Sequence, residues 1–294
     1  MSLLGSSVNG WFQPFGEFAF MRRALAACCA LSLSSAPIGV FLTLRRMSLV
    51  GDATAHAVLP GVAMGFVVAG PSILAMSLGG FAAGLAVAGL AGVAARFTVL
   101  REDASFAALY LIALAIGVLL VSVHGTQVDL MHMLFGSVLA IDRQGCLLVA
   151  CTSTLTLACL ALGYRALVVE SVDPLFLQMH GHGSVPFHML FITLVVVNLV
   201  AGFQALGTLM AVGLMMLPAA AARSWTVKLP LLLAGAGVIG ILATFLGLSL
   251  SFRWNLPSGP AIVLTAGAIY VASSLLAPLG FVSIRLRQAR APQT

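Results

Sequence analysis

Polar positions along this chain come in short clusters, and the stretches between them are apolar for about twenty residues at a time, without the strict alternation of a half-buried strand. Runs of that length suit α-helices crossing a bilayer, where the hydrocarbon core is about 30 Å thick and each helix satisfies its own backbone. They lie near Ala24 to Leu44, Ala53 to Ala69, Ile73 to Ala95, Phe106 to Val123, Gly145 to Leu167, Phe187 to Gln204, Thr208 to Ala222, Leu231 to Leu250 and Ala261 to Leu279. The pattern predicts an all-α integral membrane protein, a polytopic bundle of eight to nine transmembrane helices. Residues 1–294 form a single transmembrane domain, with 1–17 and 285–294 as short polar tails. The second and seventh runs are short and carry Pro60 and Pro218, which predicts broken helices lining a cavity. No basic stretch followed by a small-residue cleavage site opens the chain, so the first span is expected to stay.

Composition agrees and narrows the functional classes. Hydrophobic residues make up 61% of the 294 positions and charged residues 7%, against about a quarter charged in soluble domains. The net charge of +6 is no nucleic-acid footprint: it comes from arginines set singly or in pairs between apolar runs, which is a topology signal. Arg45 and Arg46, Arg96 and Arg101, Arg165, Arg223 with Lys228, and Arg285, Arg287 and Arg290 occupy every second gap. Those gaps are predicted to face the cytoplasm and the N-terminus the outside, a placement that Arg22 and Arg23 oppose. The five cysteines, Cys28, Cys29, Cys146, Cys151 and Cys159, lack CxxC spacing and read as small packing residues. There is no GxxxxGK[ST] loop, since the single lysine Lys228 follows Val227. GxSxG and HExxH are also missing, so the chain reads as a transport protein and not an enzyme.

One polar cluster stands out. Asp52 and His56 are four residues apart, so a helix projects both from one face toward a common ion. Carboxylate plus imidazole suits Mn²⁺, Fe²⁺ or Zn²⁺ better than Cu⁺ or Ca²⁺. Pro60, having no N–H, frees the carbonyl of His56 beside them. The bland alternative pairs Asp52 with Arg45 or Arg46 and lets His56 hydrogen-bond a neighbouring helix. Both readings stand at the level of residue chemistry, although an ionisable group inside a span is a functional candidate by default.

The run Leu44-Arg45-Arg46-Met47-Ser48-Leu49-Val50-Gly51-Asp52-Ala53-Thr54-Ala55-His56-Ala57-Val58-Leu59-Pro60-Gly61 resembles the signature of the ABC-3 family, permeases of manganese, zinc and iron ABC importers, with Ala55 where serine is usual. The likeness continues through Leu100 to Ala104, Val128 to Gly136, Val172 to Pro174, Gly213 to Ala222 and Leu256 to Ala261. It implies a multi-pass subunit in a prokaryotic cell membrane, with no permanently bound cofactor and a divalent metal ion as transported substrate. The implied partners are a cytoplasmic ABC ATPase, an extracytoplasmic metal-binding protein, membrane lipid and a second permease copy, identical or related; nucleic acid is not among them. The resemblance makes Asp52 and His56 the coordinating pair. It makes the gap holding Asp173, Pro174, Phe176 and Gln178 the ATPase-docking segment, with His180 and His182 as interface polarity.

Weaker metal candidates are His124, Asp129 and His132, in a gap expected to face outward, and Gln204 at an outward turn. Met210, Met215 and Met216 read as core filling, His188 as a core or interfacial histidine, and Glu170 and Asp142 as loop charges. An ATP-independent secondary metal transporter or channel is the alternative class; it often shows inverted repeats, and none is evident.

Overall fold

The computed structural model describes residues 15–70, 72–97, 102–123, 138, 141–172 and 184–278. Eleven helices account for nearly all of them: α1 Ala19–Leu44, α2 Ser48–Ala57, α3 Leu59–Ala69, α4 Ile73–Phe97, α5 Glu102–Val123, α6 Arg143–Leu162, α7 Tyr164–Val172, α8 Ser184–Leu206, α9 Thr208–Arg223, α10 Leu229–Trp254 and α11 Ser258–Leu276. Among the described residues, seven stretches are long and apolar enough to cross a membrane, α2 and α3 counting together, and α5 and α9 contribute shorter apolar helices. The chain is a multi-pass membrane protein, and the nine predicted spans each meet a helix or helix pair.

Pro60 acts as expected. Helix α2 ends at Ala57 and α3 resumes at Leu59, with a one-residue turn at Val58 whose N–H reaches the Thr54 carbonyl at 3.1 Å. Pro218 does not act as expected: α9 runs through it unbroken. A proline inside a membrane helix forfeits a single N–H bond, here the one to the Leu214 carbonyl, and packing on both sides of α9 holds the helix together across that gap.

Close packing depends on small residues, since lipid is as apolar as leucine and gives helices no hydrophobic reason to associate. A methyl group added at Gly61 would fall on the carbonyl of Gly79, and one at Gly39 on the carbonyl of Met215. These contacts bring α3 against α4 and α1 against α9. Polar side chains stitch the interior: Asn198 Nδ2 donates to Ser34 Oγ at 2.7 Å, and Ser34 Oγ lies 3.1 Å from Ser153 Oγ. This links α8, α1 and α6 by bonds worth about 0.6 kcal/mol each in a bilayer.

Contacts also order the two ends of the bundle. The ring of Phe18, just before α1, lies 5.6 Å from that of Phe252 near the end of α10. The start of α1 therefore shares the end of the bundle that holds Arg253, despite Arg22 and Arg23. Arg45, after α1, meets Glu170 of α7 at the opposite end. The residue after α1 and the end of α7 thus share one end of the bundle, as the alternation of arginine-bearing gaps requires of them. The tails 1–14 and 279–294, and Arg101, lie outside the described residues.

Candidate metal site

Helix α1 closes with Arg46 at φ +57°, while the Arg46 N–H bonds the Thr43 carbonyl at 3.3 Å and that of Met47 the Leu42 carbonyl at 2.9 Å. This is the Schellman ending, with arginine in the left-handed position that glycine usually takes. It turns the chain directly into α2, the helix that carries the candidate pair.

On α2, His56 Nε2 stands 3.7 Å from Asp52 Oδ1. Two donors on one ion with bonds of about 2.0–2.2 Å lie roughly 2.8–3.6 Å apart at octahedral or tetrahedral angles, so a small rotamer adjustment brings them to chelating distance. Both side chains face a cavity of about 420 Å³ lined by Ala55 of α2, Thr208, Val212 and Met216 of α9, and Val263 of α11 among others. The lining is mainly apolar, so Asp52 and His56 are its principal ionisable groups. The broken span and the proline-bearing α9 therefore do line one cavity. Met216 borders it, whereas Met210 and Met215 are fully buried packing residues.

The imidazole is held from behind. Its ring stacks on Tyr110 of α5, with centroids 6.0 Å apart and planes 28° from parallel. Nδ1 is buried and has no hydrogen-bond partner among the described residues. A buried ring nitrogen left without a partner costs about 1–3 kcal/mol. Nε2 is left as the nitrogen that faces Asp52.

The bland pairing of Asp52 with Arg45 does not occur. Arg45 Nη2 lies 2.6 Å from Glu170 Oε2, with the two side chains 6% and 4% exposed, while the Asp52 side chain is 60% exposed and its only ion-pair contact among the described residues is His56. Glu170 is thus a buried partner on α7 and not a loop charge. His188 joins it, with Nδ1 3.5 Å from Glu170 Oε1. Asp142 is no loose charge either: its carboxylate accepts the Gly145 N–H at 2.7 Å and caps α6. An acidic residue three positions before a glycine at the head of an apolar run was the available signal for that cap.

Gln204, the remaining metal candidate among the described residues, does not line this cavity. It sits at the end of α8 against the first turn of α4, 2.9 Å from Ser77 Oγ. Turned to satisfy all its polar atoms, its amide oxygen accepts the Ser77 N–H at 2.7 Å and its nitrogen donates to the Ile73 carbonyl at 3.2 Å. His124, Asp129 and His132, and Asp173, Pro174, Phe176 and Gln178 with His180 and His182, lie outside the described residues. Among the described residues no cluster of three His, Cys, Asp or Glu side chains forms a closed metal site. Two side chains and a cavity can hold a cation loosely, with water filling the rest of its shell, and a transported ion must be released as readily as it is captured.

Known proteins resemble this chain over most of its length. The chain is 30% identical over 274 residues to the manganese transport system membrane protein MntC of Halalkalibacterium halodurans, covering 93% of this chain and 92% of that one. It is 31% identical over 271 residues to the manganese import system permease protein ScaB of Streptococcus parasanguinis, covering 92% and 95%. Its fold superposes on a chain of PsaBC from Streptococcus pneumoniae, solved in complex with a Fab, with a TM-score of 0.84 at 27% identity, covering 96% of this chain and all of that one. The profile of the ABC 3 transport family matches residues 17–277, and the chain belongs to that family.

Proposed function

We propose that this chain is the permease subunit of an ATP-driven importer that carries a divalent transition metal ion, with manganese the first candidate, across the membrane into the cytoplasm. The observation that carries the reading is the Asp52 and His56 pair, set 3.7 Å apart on a cavity wall, with the neighbouring arginine engaged elsewhere. Its relatives MntC and ScaB are named for manganese transport and import, and Asp plus His is a donor set that Mn²⁺ accepts. Zinc and iron fit the same donors.

In this reading Asp52 supplies the charge that draws the ion from water, and His56 Nε2 supplies a directional bond. The carbonyl of His56, which Pro60 cannot engage, is a third donor. Energy comes from a separate ATPase, which docks on the segment holding Asp173, Pro174, Phe176 and Gln178. An extracytoplasmic metal-binding protein delivers the ion, and a second permease copy completes the pathway. His124, Asp129 and His132 receive metal on the outer side in this scheme.

Reconstitution tests it. The chain, its ATPase and its binding protein in liposomes are expected to accumulate ⁵⁴Mn²⁺ on adding ATP, and the Asp52→Asn complex is expected to assemble but not to accumulate it. ATP-independent uptake by the permease alone would instead establish a secondary transporter or channel.

A further inference from the structure

Arg45 is the last residue before the turn into α2, and its guanidinium is gripped from four directions. Nη2 bonds Glu170 Oε2 at 2.6 Å, Nε donates to Ser171 Oγ at 3.0 Å, Nη1 lies 3.4 Å from His188 Nδ1, and Cζ sits 4.1 Å above the Phe191 ring. Glu170 and Ser171 are the last residues but one or two of α7, and His188 and Phe191 belong to the first two turns of α8. Phe191 is itself fully buried and meets Phe41 of α1 edge-on, with centroids 6.1 Å apart.

This cluster has a particular place in the chain. It holds the end of α7, at Val172, and the beginning of α8, at Ser184, against Arg45, three residues before α2 begins at Ser48. Seven residues further on stands Asp52. Between Arg45 and α2 the turn is short and defined by the Schellman bonds and by the positive φ of Arg46. A buried ion pair is a poor device for stability alone, because well-packed apolar residues of similar volume serve as well or better. What a multidentate pair adds is a defined geometry between the elements that carry it.

We propose that Arg45, clasped by Glu170 and His188, is the positioning residue that couples the ends of α7 and α8 to the ion-site helix, so that a movement of those ends is passed to Asp52 and His56. The proposal rests on the importer reading above, in which the segment holding Asp173, Pro174, Phe176 and Gln178, between those two ends in the sequence, meets the ATPase. Arg45 touches no ion; it acts through the turn.

The test is the ratio of ions moved to ATP hydrolysed, in liposomes holding the complete transporter. The double variant Arg45→Met/Glu170→Leu removes both buried charges at once and leaves neither orphaned. It is expected to assemble, bind Mn²⁺ within about threefold of the parent and hydrolyse ATP, while moving at least about tenfold fewer ions per ATP. A merely structural cluster would leave that ratio unchanged once folding is restored, and this result would overturn the proposal. Should the double variant fail to assemble, Glu170→Gln is read against the same ratio. Parent liposomes that move no metal at all would sink the importer reading, and this proposal with it, whereas normal parent uptake with an unchanged variant ratio sinks the proposal alone.

Discussion

Replacing Asp52 by asparagine removes one charge and almost no volume, and its consequence can be worked from the position of the carboxylate. The side chain is 60% exposed and its partner is His56 at 3.7 Å, so folding gains little from it; surface pairs contribute about 0–1 kcal/mol. Thermal unfolding in detergent is therefore expected to move by no more than that scale. The metal feels the change far more. A divalent ion about 3 Å from a unit negative charge is held by roughly 332 × 2/(80 × 3), or about 3 kcal/mol, at the dielectric constant of water. The carboxylate is largely exposed, so the value in water is the appropriate scale. At about 1.4 kcal/mol per tenfold, Mn²⁺ affinity should fall about a hundredfold. The assay is Mn²⁺ titration of the purified complex beside ⁵⁴Mn²⁺ uptake by liposomes. A variant binding and transporting within threefold of the parent would refute the assignment of Asp52 as a ligand.

The remaining predictions concern packing, the nitrogen donor and docking. Gly61→Val drives a branched side chain into the Gly79 carbonyl, so the α3–α4 contact must open; a loss of about 1–3 kcal/mol is expected from overpacking, read as an earlier unfolding transition. His56→Ala removes the nitrogen donor that faces Asp52 and is expected to lower Mn²⁺ affinity at least about tenfold while the complex still assembles, read by Mn²⁺ titration. Phe176→Glu puts a charge into the proposed ATPase contact and is expected to abolish co-purification with the ATPase while Mn²⁺ binding persists.

Much of the fold is legible in the sequence because the bilayer sets the length of its elements. Twenty apolar residues between polar gaps leave few alternatives to a helix, and Pro60 announces its break through the missing N–H. Asp52 and His56 are legible because their spacing is a property of one helix. Pro218 is less so, since whether proline ends a membrane helix depends on what packs around it, here the approach of Gly39 to Met215. Glu170 is not legible at all. A lone acid in a polar gap has the same sequence signature whether it faces water or an arginine 125 positions earlier. The stacking of Tyr110 on His56 is likewise a contact between helices, which periodicity along one helix does not reveal.

The central claim is that a divalent ion sits between Asp52 and the imidazole of His56. Mn²⁺ is paramagnetic, so pulsed electron paramagnetic resonance on the loaded transporter reports the nitrogen nuclei bonded to it. The account predicts an imidazole nitrogen coupling that disappears in His56→Ala and persists in His188→Ala. A bound ion showing no nitrogen coupling, or one whose coupling survives the loss of His56, would contradict it.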